Sequence, residues 1–196
     1  GTMHSCVEFQ IKWIKNNIKP INGCEVYLVD DFEEGRNNRF HLILLAKNRK
    51  GIDNLFKMSK FAYDSFYRKP IIDLKTIKEN NLGEGLVCLS ACLAGYIYRN
   101  REDERKVDIF IKECLEIFDY FALETQAHKT EEQIELARLC QYYSKKHNVP
   151  MVITTDSHYK EEQDIESHST FVEIGTEREV GETYTDCYLQ PYNKLK

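Results

Sequence analysis

Val152-Ile-Thr-Thr-Asp-Ser-His-Tyr159 is the stretch on which the reading of the whole chain turns. Its β-branched start, following His147-Asn-Val-Pro150, predicts a buried strand, and its end carries a carboxylate and an imidazole one residue apart. Residues i and i+2 of an extended chain point to the same side, so Asp156 and His158 can act on one metal ion or one phosphate. Barrel enzymes place catalytic groups just past the C-terminal ends of their strands. The alternative is an Asx turn at a strand end, with Asp156 capping a helix near residues 161–173 and His158 partly exposed.

Reading back from this stretch, Thr130-Glu-Glu-Gln133 predicts a capping box, with Ile134, Ala137, Leu139 and Cys140 continuing a helix. A strand is expected over Tyr120–Thr125, followed by Gln126 and His128, with Glu124 and His128 placed at most behind the direct ligands. An amphipathic helix is expected from Asp103 to Phe118. Gly85-Leu-Val-Cys-Leu-Ser90 reads as a short apolar strand leading into the small-residue turn Ala91-Cys-Leu-Ala-Gly95, so Cys92 also stands at a strand's end, where a thiolate can ligate zinc. Cys88, inside the strand, reads as packing.

Nearer the start, Val7, Ile11, Ile14 and Ile18 recur at helical spacing ahead of Pro20. Ile21–Val29 and Arg39–Ala46 predict a hairpin that brings His41 close to the strand carrying Glu25. A carboxylate in an apolar strand is costly unless it is paired or bound to a cation; on an edge strand it simply faces solvent. His41 alone is equally a satisfied structural histidine. Ile52, Leu55, Phe56 and Ala62 predict a core helix over 51–62, and Leu74–Glu79 a short one. Between them Arg68 and Lys69 either contact phosphate or lie in an ordinary solvated turn. After the Asp-x-His stretch, a helix over 161–172 carrying His168 and a tail of strand composition over 184–189 complete the pattern. Repeated strand, turn and helix units imply an α/β fold with mostly parallel strands.

At 196 residues and 42% apolar content, the chain is expected to form one domain, 1–196, with a substantial core. A net charge of -5 argues against a dedicated nucleic-acid-coating surface. Seven cysteines, an odd number without a C-x-x-C pair, suit a reducing cytosol. Neither a membrane-length apolar run nor a leader-like basic and apolar start is present, so a cytoplasmic protein without membrane partners is expected.

Five blocks in order resemble the PHP domain (polymerase and histidinol phosphatase) of bacterial replicative DNA polymerase III alpha subunits. They are Gly1-Thr-Met-x-x-x-Val-Glu-Phe9, Ile18-Lys-Pro-Ile-x-Gly-Cys-Glu-Val-Tyr27, Phe40-His-Leu-x-Leu-Leu-Ala-Lys-Asn48, Leu89-Ser-Ala-Cys-Leu-Ala-Gly95 and Thr155-Asp-Ser-His-Tyr159. The resemblance implies a distorted (β/α)7 barrel, TIM-like, with up to three zinc or manganese ions at the strand ends. It places Glu25, His41, Cys92, Asp156 and His158 at metal-ligand positions and gives Asp156 and His158 the catalytic roles. It further implies a part in DNA replication within a DNA-directed DNA polymerase (a nucleotidyltransferase), with a metal-dependent 3′-5′ exonuclease site and with DNA and other holoenzyme subunits as partners. The alternatives within the superfamily are an inactive scaffold for the polymerase and a proofreading exonuclease, or a free-standing phosphatase.

This sequence departs from the family at three points. The family's first strands supply an H-x-H pair, a further histidine and an Asp-His pair, all ahead of the position matched by Gly1. The first strand-helix units are therefore expected to be missing, the ligand set to be incomplete and metal binding by this chain to be weak. Ile71 stands where arginine is usual in a K-P-R turn, and Tyr96 where an acidic residue is frequent.

Overall fold

The computed structural model describes residues 3–33, 37–176 and 186–191. Helix α1 (Cys6–Lys15) leads into strands β1 (Gly23–Leu28) and β2 (Phe40–Ala46), which form the expected antiparallel hairpin. Then follow α2 (Arg49–Asp64), the two-residue strand β3 (Ile71–Ile72), α3 (Leu74–Glu79), β4 (Leu86–Leu89), α4 (Tyr96–Arg99), α5 (Glu104–Ile117), β5 (Tyr120–Gln126), α6 (Glu131–His147), β6 (Met151–Thr154) and, after a 3-10 turn at Glu162–Asp164, α7 (Ile165–Thr176). The sheet order is β3-β1-β2-β4-β5-β6. Only β2 runs against its neighbours; β1–β3, β4–β5 and β5–β6 are parallel pairs. The fold class is thus the expected α/β type of the TIM-like PHP barrel, although among the described residues the sheet has six strands and stays open, with β3 and β6 at its edges.

Strand register decides which side chains share a face, since paired residues lie on the same side and successive residues alternate. Val26, Leu28, Phe40, Leu42, Leu44, Cys88, Phe121 and Leu123 take the helix-covered face and are buried with Leu55 and Met58 of α2, Phe110 and Ile111 of α5, and Leu136 and Tyr143 of α6. The register carries Glu25 and Tyr27 to Ile43 and His41, Ile43 to Leu89, Leu89 to Ala122, and so to Glu124 and Thr154 on the opposite face. The polar residues of the strands therefore converge because the apolar ones claim the other side.

Several local expectations need correction. Phe56 is 43% exposed on α2, where Leu55, Met58 and Ala62 form the buried stripe instead. Thr130 Oγ1 does accept from the Gln133 N–H (3.3 Å), but Gln133 turns its own amide to Gln126 Oε1 (2.7 Å), so the cap is not reciprocal. Burial of Gln126 at the end of β5 explains this, because its carbonyl oxygen needs a donor away from water. The expected tail strand is reduced to one bridge, Tyr159 to Tyr188, and residues 184 and 185 lie outside the described residues. Ile71 and Tyr96 have core roles: Ile71 is buried in β3 beside Tyr27, and the Tyr96 ring stacks on Phe110 at 4.4 Å and packs against Phe40 at 4.6 Å. No helix among the described residues is long and apolar enough to cross a membrane.

Candidate metal centre

The C-terminal ends of β4, β5 and β6 face the same way as the N-terminal end of the antiparallel β2, so His41 enters the rim from the hairpin. The turn after β4 is bound to it directly: His41 N–H donates to the Ala94 carbonyl at 2.9 Å. Two features keep that turn tight. Ala91 is left-handed (φ 63°), and a Cβ on Gly95 would stand 2.4 Å from the Ser90 carbonyl oxygen. The consequence is that Cys92 Sγ lies 3.6 Å from His41 Nδ1, whose other neighbour is Glu25 Oε1 at 3.5 Å. His41 thus links Glu25 and Cys92, three of the five expected ligands. The ring of Tyr27 packs edge-on against His41 and accepts a hydrogen bond at its hydroxyl from Lys69 Nζ (3.0 Å).

Asp156 and His158 stand close together, but not by strand alternation. β6 ends at Thr154 and Asp156 is left-handed (φ 47°), so the i, i+2 rule for extended chain no longer holds. His158 Nδ1 instead faces the Asp156 carbonyl at 2.7 Å, with the Asp156 carboxylate at 3.9 Å. The helix-capping alternative for Asp156 fails, because Glu161 and Asp164 cap the following turn reciprocally. The Asp156 charge is felt at Cys92 and at Glu124, where Glu25 also acts. These groups therefore share one electrostatic environment. Burial, the opposing Ala94 N–H and the Asp156 charge together leave the Cys92 thiol above its ordinary range, so it is held as a neutral thiol without a cation.

Beneath them lies Glu124, 5% exposed. Its Oε1 accepts from Thr154 Oγ1 at 2.6 Å and its Oε2 is buried without a hydrogen-bond partner among the described residues. Burial raises its carboxyl pKa above the usual carboxylate range; Asp156 and Glu25 add to the rise, and the Thr154 hydroxyl and the Ala91 N–H oppose it. Glu25, His41 and Cys92 supply carboxylate, imidazole and thiol in one chain of contacts, with the charges of Asp156 and Glu124 nearby, and donors of these types suit a divalent cation.

A second grouping lies on the other side of Asp156. His128, Asp156 and Cys187 have ligand atoms all within 4.8 Å of one another, the one such set of three among the described residues. In the sequence His128 stands only behind the direct ligands, and nothing local marks Cys187, 31 residues beyond Asp156, as its neighbour.

The PHP domain family matches residues 1–128. Three DNA polymerase III alpha subunits align over nearly the whole chain: 32% identity with that of Treponema pallidum (91% of this chain, 16% of the relative), 33% with that of Thermus aquaticus (89% and 15%) and 32% with that of Aquifex aeolicus (93% and 17%). The chain spans about a sixth of the length of these curated relatives. With polar strand residues gathered on one face of an α/β sheet, donors collected at its rim and the family match running through β5, this chain belongs to the PHP domain family.

Proposed function

We propose that the chain is the PHP portion of a DNA polymerase III alpha subunit, acting in DNA replication, and that its rim is a metal-dependent phosphodiesterase site of the 3′-5′ exonuclease type. The observation that carries this reading is the convergence of Glu25, His41 and Cys92 through His41 Nδ1, with Asp156 acting on the same thiol. Glu25, His41, Cys92, Asp156 and His158 are the residues to hold zinc or manganese. When bound, such ions polarise a phosphoryl oxygen and lower the pKa of water at neutral pH.

The chain's own residues supply the rest. Glu124 adds a buried negative charge behind the ligands, and Thr154 orients its carboxylate. Lys69 lies over the Tyr27 ring at 4.9 Å, and Tyr27 packs against His41, so Lys69 is the cation to grip a DNA phosphate on this side of the site. Polymerisation belongs to the rest of the alpha subunit, and DNA and other holoenzyme subunits are the partners. A cytoplasmic location follows from the same assignment.

The scaffold reading has one observation of its own: Ile71 and Tyr96 are used for core packing and offer nothing to a phosphate. Digestion of single-stranded DNA labelled at either end, with metal-loaded and chelator-treated protein, separates the readings. Metal-dependent loss of 3′ nucleotides supports the exonuclease. Metal binding without cleavage supports the scaffold, and turnover of phosphomonoesters but not DNA ends supports a free-standing phosphatase.

A further inference from the structure

The grouping of His128, Asp156 and Cys187 is built from three separate connections: the segment after β5, the loop after β6 and the stretch 186–191. We propose that these three side chains hold a zinc-class divalent cation of their own, through imidazole, carboxylate and thiolate, in a pocket separate from the Glu25–His41–Cys92 group and joined to it by Asp156.

The distances suit the ion. Cys187 Sγ and His128 Nδ1 are 3.9 Å apart. Zinc–sulfur and zinc–nitrogen bonds of ~2.3 and ~2.0–2.1 Å at tetrahedral angles put the two atoms roughly 3.5 Å apart, so a few tenths of an ångström of closure completes the pair. The histidine is already in the right tautomer. His128 Nε2 lies 3.2 Å from the Thr155 carbonyl, which can only accept, so Nε2 carries the proton and the lone pair on Nδ1 faces Cys187. A backbone carbonyl on the far ring nitrogen is the usual support of a metal-binding histidine.

Backbone ties hold the third ligand in place independently of any cation. His158 and Tyr159 N–H both donate to the Cys187 carbonyl (2.7 and 3.3 Å), Ser157 Oγ donates to the Tyr188 carbonyl (3.2 Å), and Gln190 Nε2 reaches the Ala127 carbonyl (3.5 Å). The cysteine is thus strapped to the Asp156 loop and to the residue before His128. Sulfur, imidazole and one carboxylate select zinc over magnesium or calcium, which prefer all-oxygen sets. A four-coordinate zinc on three side chains takes its fourth ligand from water or a phosphate oxygen, and binding releases the Cys187 thiol proton to the buffer. The proposal does not depend on nuclease activity, since an inactive scaffold could hold this ion equally well.

The test is cobalt(II) substitution and zinc stoichiometry on the whole chain, comparing Cys187→Ser, Cys92→Ser, His128→Gln and Cys187→His, with circular dichroism to verify folding. Cys187→Ser and His128→Gln are expected to remove one zinc equivalent, or weaken it at least tenfold in chelator competition. Cys187→Ser should also remove a thiolate-to-cobalt charge-transfer band that Cys92→Ser leaves in place. Cys187→His should restore the zinc equivalent without the band. Retention of the full band and zinc content by folded Cys187→Ser, or their loss only in Cys92→Ser, would overturn the proposal.

Discussion

Replacing Glu124 with glutamine should stabilise the metal-free protein while weakening its hold on metal. Oε2 of this carboxylate is buried without a hydrogen-bond partner among the described residues, and burial, Asp156 and Glu25 work against its charge more than Thr154 and the Ala91 N–H favour it. Leaving a buried charged acceptor unmet costs ~1–3 kcal/mol or more. Glutamine keeps the oxygen that accepts from Thr154 and removes the charge, although its amide donors give back part of the gain. A net stabilisation of about 1 kcal/mol corresponds to a rise in Tm of roughly 2–4 °C for a chain of this size. The sign with pH follows from burial. The folded-state pKa of Glu124 lies above its unfolded value, so the folded protein binds the extra proton and the penalty is absent below the unfolded pKa. The penalty grows as pH rises through the window between the two and is complete above the folded pKa. Thermal denaturation of chelator-treated wild type and Glu124→Gln across pH, taken as a difference, cancels the other carboxylates. The difference should be near zero in acid and come to favour glutamine as pH rises through the window between the two pKa values, and zinc should stabilise wild type more than the variant. A Tm for Glu124→Gln that never rises above that of wild type as pH increases would refute the argument, by showing that the charge is already compensated in the metal-free fold.

Two further outcomes follow from the same geometry. Gly95→Ala has an ordinary φ (-73°), yet its Cβ would meet the Ser90 and Cys92 carbonyl oxygens at 2.4 and 2.9 Å; overpacking of this kind costs ~1–3 kcal/mol, and moving the turn should separate Cys92 from His41, read as a lower Tm together with lower metal content. Zinc affinity should rise with pH, because burial, Asp156 and Asp186 push the Cys187 thiol up to about 12, Cys92 is also raised, and each coordinated thiol must release its proton; calorimetry in buffers of different ionisation enthalpy should detect that release.

Much of the architecture was legible because it rests on short-range pattern. The hairpin showed in the two strand-like runs Ile21–Val29 and Arg39–Ala46, α5 in the amphipathic pattern from Asp103 to Phe118, and α3 in the stretch from Leu74 to Glu79. The two-residue strand β3 was not, because Ile71 and Ile72 have no pattern of their own and become a strand only by pairing with Tyr27 and Leu28. The pairing of Glu25 with His41 followed from hairpin register, and the Cys92 contact from a strand end. Proximity of Asp156 and His158 was anticipated for the wrong reason, since the left-handed φ at Asp156 cannot be read from alternation. Cys187 was invisible for a deeper cause: it reaches Asp156 through backbone bonds made by a segment after α7, a purely tertiary event.

The most direct test of the phosphodiesterase reading measures two quantities on the same preparations: metal per chain by elemental analysis, and the rate of 3′-nucleotide release from labelled single-stranded DNA. The comparison is between wild type and Asp156→Asn. Asparagine tolerates the left-handed backbone that Asp156 adopts, so the substitution removes the charge without adding strain. Metal content and nuclease rate are expected to fall together, the rate by at least 10–100-fold, the size of loss seen even for changes behind the ligands. An Asp156→Asn variant that loses its metal yet degrades DNA at the wild-type rate, or a wild-type chain that degrades DNA equally well after chelation, would contradict the account.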